Sequence, residues 1–429
     1  MPQQSRRSFL QKSVAGGVLM GMSARAHRSV FGAQPPSERV RVGMIGVGNQ
    51  GGPRNNMKYF LKNIEALCDL DGNYLSEAAA FLKKEDNRSA TVTDDYRRLL
   101  DSKELDAVVV TVPDQWHALM TTEACAAGKD VYCEKPLSLV VNEGRIMINA
   151  ARRHDRVVQT GTMQRSGEEF KLAVELVQSG AIGKVKTVNV TLPGPNWIDR
   201  AKKPVPNSAP PRGFDFDRWL GPAPKVPYNI NRVHYLFRFF WDYSGGQQTN
   251  FGAHHLDIAQ WGLGMDDSGP VSIEGMATFN PDGWYETPDS TQIKYTYDNG
   301  VVLNCRQTPG KKGKELGTEF VGEKGSLSVF RGGVTTSVDS IDLPSYDKYD
   351  KYAANHAHVQ NFLQCVKTRE TPSADISIGH RSATVCHLGN IAVRTGKKLN
   401  WDPKAEAIVD DAEASKWLTK DYRKPYRLS

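Results

Sequence analysis

Along the first 160 positions, apolar residues come as short runs, each closed by glycine, proline or a charged residue. Residues 40–45, 64–68, 107–112, 130–133 and 157–160 read as strands, separated by the helical stretches 74–84, 118–127 and 142–153. The run 107–112 is apolar throughout, the pattern of a strand covered on both faces, as in a parallel sheet. Beyond residue 184 the pattern changes. Runs at 185–192, 271–279, 292–297, 300–307 and 326–330 alternate with turn signals such as Asp298-Asn299-Gly300, which mark hairpins. Two architectures in succession are expected, with the crossover near Gly161.

The first run leads straight into Gly46-Val47-Gly48-Asn49-Gln50-Gly51, so strand, glycine turn and helix follow in the order of a Rossmann dinucleotide-binding domain. Gly46 permits the turn, Gly48 lets backbone N–H groups reach a pyrophosphate, and Gly51 allows close helix–strand contact. About 20 residues on, the second run ends in Asp69. Its carboxylate can accept from adenosine ribose hydroxyls and would repel a 2′-phosphate, which favours NAD over NADP; the other reading of 69–72 is a solvated acid or a helix cap. The run 107–112 closes with Pro113-Asp114-Gln115-Trp116-His117, and 130–133 delivers Glu134-Lys135-Pro136, both at sheet edges where α/β proteins bind ligands.

Glu134-Lys135-Pro136, with the glycine turn and the Pro-x-x-x-His segment, resembles the glucose–fructose oxidoreductase / inositol dehydrogenase / MocA-like family from about residue 38 to the C-terminus. The resemblance implies an α/β chain: an NAD-binding Rossmann domain over 38–160, then an α+β domain over 161–429. That second domain would carry a large, mostly antiparallel open-faced sheet used in substrate binding and homo-oligomerisation, as dimer or tetramer. It also implies that Lys135 lies at nicotinamide and substrate, binding the reacting hydroxyl and easing its proton loss. Independently of the family, a lysine held at that edge beside a cofactor that becomes cationic has its charged form disfavoured and can exchange protons near neutrality. Gly46, Gly48, Asn49, Gln50, Gly51, Asp69, Pro113, His117, Glu134, Lys135 and Gln164 are the expected cofactor contacts. Gln164 and Arg165 face nicotinamide or substrate, or else belong to a structural turn.

In the second half, Asn250, His254, Asp257 and Trp261 are spaced by four, three and four residues, so in a helix they share a face. His254 can then point into a cleft with Asp257 orienting its ring. The segment resembles the family's Asp-x-x-x-His motif, which makes His254 the candidate general acid/base. Asn250 stands where that motif has aspartate, and an amide cannot take up a proton. Lys135, His254, Asn250 and Asp257 form the expected catalytic set. His255 lies about 100° around the helix and reads as structural; adjacent helical histidines diverge, so no metal site is expected. The aromatic-rich loop 193–228, with Trp197, Phe214, Phe216 and Trp219, either walls a carbohydrate site or wraps a neighbouring subunit. Lys135, Arg165, Trp197 and His254 are the expected substrate contacts. The segment from 356–368 through 400–403 is expected to tie the domains together.

The net charge is +7, but the first 33 residues hold five Lys/Arg and no acid, leaving +2 on the remainder. That balance gives no electrostatic case for nucleic acid, and the basic stretches at 311–314 and in the tail read as solvated loops. No apolar stretch approaches the ~18–20 residues of a membrane span. The six cysteines lack C-x-x-C spacing and read mostly as small buried residues, a disulfide remaining open. Arg6-Arg7 before Phe9-Leu10, the apolar run 14–22 and Ala24-Arg25-Ala26 resemble a twin-arginine export signal over 1–33, which implies a periplasmic or otherwise exported protein.

The reading favoured is an NAD-dependent oxidoreductase acting on a sugar or polyol-like alcohol, its cofactor either exchanged or retained tightly. Two others stand beside it: redox-neutral glycoside cleavage through transient oxidation and elimination, and a non-catalytic sugar-binding protein.

Overall fold

The computed structural model describes residues 39–195, 205–281, 283–346, 350 and 352–428. The signal-like segment and Trp197 lie outside them. The early apolar runs form one six-stranded sheet: β1 (Val42–Ile45), β2 (Ile64–Cys68), β3 (Thr91–Thr93), β4 (Ala107–Val110), β5 (Asp130–Cys133) and β6 (Val158–Thr160). All pairs are parallel, in the order β3-β2-β1-β4-β5-β6. Every residue of β4 is buried, which is why its sequence shows no alternation. The order reverses between β1 and β4, so the turns after β1, β2, β4 and β5 open onto one crevice at the strands' carboxyl ends.

The second sheet has nine strands, ordered β13-β12-β11-β7-β10-β9-β8-β14-β15. They are β7 (Val185–Pro193), β8 (Ser272–Thr278), β9 (Ser290–Thr296), β10 (Val302–Thr308), β11 (Gly317–Gly322), β12 (Ser326–Phe330), β13 (Gly333–Thr336), β14 (Leu399–Asp402) and β15 (Ala407–Ile408). Only the pair β7–β10 is parallel, so the sheet is mixed and mostly antiparallel. One face is apolar: Ile293 and Tyr295 of β9 and Leu303 and Cys305 of β10 pack with Leu256 and Ile258 of helix Gly252–Gly262 and Leu388 and Ile391 of helix Ile376–Thr395. Residues between them on β9 and β10, such as Lys294 and Arg306, are exposed.

Chain order and packing partners do not always agree. Helix Ala353–Thr368 places Val359, Phe362 and Val366 in the core of the first sheet, against Phe60 and Tyr132. The aromatic loop also returns to the first half. Asp71 bridges Phe214, the Trp219 carbonyl accepts from Trp116 Nε1 at 2.9 Å, and Arg218 pairs with Asp94. Phe214, Phe216 and Trp219 are buried among themselves and with Tyr228 and Tyr243, so the loop straps this chain's own nucleotide-type domain. The tail is held as well, and not merely solvated: Arg423 donates to Asp217 at 2.8 Å and to the Gly221 carbonyl at 2.9 Å, and Lys420 pairs with Asp242. All six cysteines are buried free thiols. No helix among the described residues is long and apolar enough to cross a membrane.

Candidate active site

The crevice predicted by the strand order is a cleft of about 1300 Å3, its open mouth included. The glycine turn forms one wall. Gly46 has φ +82, and a Cβ there would lie 2.5 Å from the Thr111 carbonyl oxygen, so only glycine fits. Gly46, Gly48, Asn49 and Gln50 line the cleft; Gly51 sits behind, where an added Cβ would fall 1.8 Å from the Gly46 oxygen. This is a cradle shaped for close backbone approach to a phosphate, and the residues present fit a dinucleotide.

Asp69 lines the cleft beside this turn and is braced by it, Oδ2 accepting from Val47 N at 2.8 Å and Oδ1 from Asp71 N at 2.9 Å. Burial raises its pKa against those donors. The cap at this corner is Asp71, whose side chain accepts from Asn73 N at the start of helix Gly72–Asp86. His234, from the strap, sits 3.2 Å from Asp71.

Lys135 lines the same cleft. Its Nζ donates to Asn250 Oδ1 at 2.7 Å and to the Asn250 carbonyl at 3.0 Å. Asn250 in turn donates to Gln247 Oε1 at 2.9 Å, so its amide is held in place. Burial pulls the Lys135 pKa down to about 8, with Glu134 opposing and Arg238 reinforcing the shift. Glu134 lines the cleft too and accepts from Asn56 Nδ2 at 2.8 Å. Thus two segments 115 residues apart meet at one ammonium, which can bind an oxygen and exchange a proton near neutrality.

His254 lies one helical turn beyond Asn250, buried, with no hydrogen-bond partner for Nδ1. Burial, then the Arg331 and Lys135 charges, hold its pKa well below the usual value, so the ring is neutral, and it lies outside the cleft lining. The helix is broken at Phe251 into Gly246–Asn250 and Gly252–Gly262.

Four sequence-based assignments change. Asp257 does not orient His254: its carboxylate accepts from Arg165 Nε at 2.8 Å and from Ser382 Oγ. Arg165 accordingly does not reach a substrate; it is buried, fork-bonded to Asp266 at 2.7 and 2.9 Å, and lies over Trp261. His117 turns away from the cleft, its ring nitrogens 2.7 and 2.9 Å from the carbonyls of Pro136 and Val112, so it fastens the Pro113 turn to the lysine turn. Gln164 is fully buried and outside the cleft lining, both its amide atoms unpartnered. Pro113 does line the cleft.

The cleft also holds residues that the sequence did not single out. Asp114 accepts from Ser244 Oγ, and burial pushes its pKa up to about 7. Arg238, Tyr235 and Tyr74 line the wall. Asp114 falls inside the Pro-x-x-x-His segment and could have been suspected; nothing in the run Leu236-Phe237-Arg238-Phe239 marks a cleft residue.

A parallel sheet with a glycine cradle at its switch point and a depressed lysine at the same edge defines a nucleotide-dependent α/β protein. The comparisons make the class specific. Residues 40–162 match the oxidoreductase family's NAD-binding Rossmann fold and residues 167–428 its C-terminal alpha/beta domain, so the chain belongs to the glucose–fructose oxidoreductase / inositol dehydrogenase / MocA-like family. An uncharacterized oxidoreductase of Bacillus subtilis strain 168, YrbE, is 26% identical over 351 residues, which span 78% of this chain and 89% of that one. A glycosyl hydrolase family 109 protein of Shewanella putrefaciens strain CN-32 is 30% identical over 201 residues, only 42% of this chain and 44% of that relative. Levoglucosan dehydrogenase, in complex with NADH and levoglucosan, shares the fold at TM-score 0.66 and 16% identity, over 85% of this chain and 99% of that one. The WlbA dehydrogenase of Bordetella pertussis, in complex with NADH and UDP-GlcNAcA, does so at 0.64 and 18%, with the same coverage.

Proposed function

We propose that this protein moves hydride between a sugar- or polyol-like secondary alcohol and its ketone, using NAD. The observation that carries the reading is Lys135, an ammonium with a pKa of about 8 held by neutral oxygens alone in the cleft that contains the glycine cradle. In the oxidising direction the carbinol C–H leaves as hydride and the hydroxyl proton passes to the protein. When bound, the nicotinamide supplies the acceptor, and in reverse the donor, at its C4. Lys135 binds the reacting oxygen and, in its neutral form, takes the proton; His254, one helical turn beyond Asn250, is the second candidate for general acid/base. Asn250 positions Lys135 and takes up no proton. Asp69 beside the glycine turn favours NAD over NADP by excluding a 2′-phosphate. The sugar ligand of levoglucosan dehydrogenase supports the substrate class.

A second reading has its own support. The strap 205–244 lies against Asp71, Asp94 and Trp116 at the cleft, an arrangement suited to keeping one nucleotide through many turnovers, and the similarity to a glycosyl hydrolase family 109 protein points the same way. A retained cofactor, reduced and reoxidised in one cycle, would let the enzyme cleave glycosides with no net redox change. It would also suit export through the twin-arginine route, which carries folded proteins.

One experiment separates them. The protein is purified without added cofactor, its nucleotide content measured, and a panel of sugars and aryl glycosides offered. NADH accumulation with free sugars supports the first reading, and aglycone release without NADH accumulation the second. If neither appears, or if Lys135→Met and His254→Gln both turn over every accepted compound as the parent does, the site is wrongly assigned.

A further inference from the structure

A second cation stands in the cleft, and nothing in the hydride-transfer scheme uses it. Arg238 sits in the turn Leu236–Phe239, its guanidinium carbon 3.9 Å from the Tyr235 ring centre and 4.8 Å from that of Phe237, and it lines the cleft with Lys135. Its Nη1 donates to the Tyr235 carbonyl. Among the described residues no carboxylate comes within ion-pair distance of it, whereas eleven other arginines, Arg165 and Arg218 among them, have such a partner. The guanidinium is desolvated, which lowers its pKa, and the acids that act on it do so at a distance: Asp114 and Glu134. Each of those is already engaged, Asp114 by Ser244 and Glu134 by Asn56.

Lys135 is in the same condition, since Asn250 offers it a carbonyl and an amide oxygen. Two cations that share a wall, and whose own hydrogen bonds end on neutral oxygens, can take a further anion directly. The glycine turn already provides backbone donors for the cofactor's phosphates, whereas Arg238 interacts with Lys135, Glu134 and Asp114.

We propose that the substrate is a carboxylated sugar, a uronic acid or its glycoside, and that Arg238 binds its carboxylate while Lys135 takes the reacting hydroxyl. The proposal rests on the functional reading above. A planar guanidinium presents a fork of N–H donors matched to a carboxylate. A phosphate dianion suits the site less, since the charges of Asp114 and Glu134, which already act on Arg238, would oppose a second negative charge.

The test uses full-length protein loaded with NAD and three probes: glucuronate, glucose and glucose 6-phosphate, with galacturonate and galactose as the epimeric pair. Binding is measured by calorimetry and turnover by nicotinamide absorbance. Glucuronate or galacturonate should bind about 10- to 100-fold more tightly than its neutral counterpart, the range of a charge-assisted hydrogen bond. Arg238→Gln should abolish that ratio, and Arg238→Lys should restore part of it, which separates loss of charge from misfolding. The proposal is overturned if acid and neutral sugars bind alike in the parent, if the phosphate binds best, or if Arg238→Gln lowers both affinities equally or weakens NAD alone. Uronate binding that depends on Arg238 without turnover of any probe would sink the hydride-transfer reading and leave this one standing; turnover indifferent to the carboxylate would do the reverse.

Discussion

Two buried cations, Lys135 and Arg165, are both anchored by the helical stretch 246–262, and they show opposite solutions to the same problem. Arg165 meets Asp257 and Asp266 in a closed ion-paired cluster, with Trp261 beneath it. Burial disfavours its charge, but the two acids more than restore it. Lys135, seven positions back on the anchoring stretch, meets Asn250 and receives no carboxylate from it. Burial therefore shifts its proton equilibrium to about 8. A fully compensated cation is structure; an under-compensated one facing a cleft is chemistry. The difference between aspartate and asparagine in two turns of helix decides which is which.

The largest expected effect comes from removing the under-compensated cation. Lys135→Met should lower turnover about 10²- to 10⁴-fold, roughly 3–5 kcal/mol in barrier, while unfolding shifts little because among the described residues its hydrogen-bond anchors are two neutral oxygens. A variant with parental kcat on the identified substrate would remove Lys135 from the mechanism. Breaking the closed cluster should do the opposite. Asp257→Ala leaves the Arg165 guanidinium short of a partner at 2% side-chain exposure and should cost about 3–5 kcal/mol of stability, read as an earlier denaturant midpoint, with turnover per folded molecule little changed. Replacing the pair together, Arg165→Met with Asp257→Leu, should recover much of that loss. If the double variant is no better than the single, the charge imbalance is not what the single substitution exposes.

This contrast was only half legible in the sequence. The glycine turn, Asp69 and Glu134-Lys135-Pro136 follow apolar runs directly, and local order is enough to place them at strand ends. The four-three-four spacing of Asn250, His254, Asp257 and Trp261 also survives, apart from the break at Phe251. What the spacing could not reveal is the partner of each side chain. Asp257 answers to Arg165, 92 positions earlier, and Ser382, 125 later, and neither leaves a periodic trace. Arg238 is hidden for the same reason, since its cleft position depends on the strap folding back across the first domain. Strands β3 and β13 are short and largely lack alternation, so the turn composition around them reads as loop.

The smallest effect is the most diagnostic, because it converts one member of the comparison toward the other. Asn250→Asp keeps an acceptor 2.7 Å from Lys135 but gives it a charge, and it removes the amide donor to Gln247. A carboxylate beside an ammonium stabilises the protonated form, so the Lys135 pKa should rise from about 8 toward the ordinary lysine range. If neutral Lys135 is the proton acceptor, kcat/KM for alcohol oxidation climbs with pH through the folded-state pKa. The parent profile should therefore rise through about pH 8, and the variant's rising limb should move to higher pH with a comparable plateau above it. Loss near neutrality that is recovered in alkali identifies the group as Lys135. An unmoved limb would assign the titration elsewhere, with Asp114, whose pKa is about 7, the next residue to test.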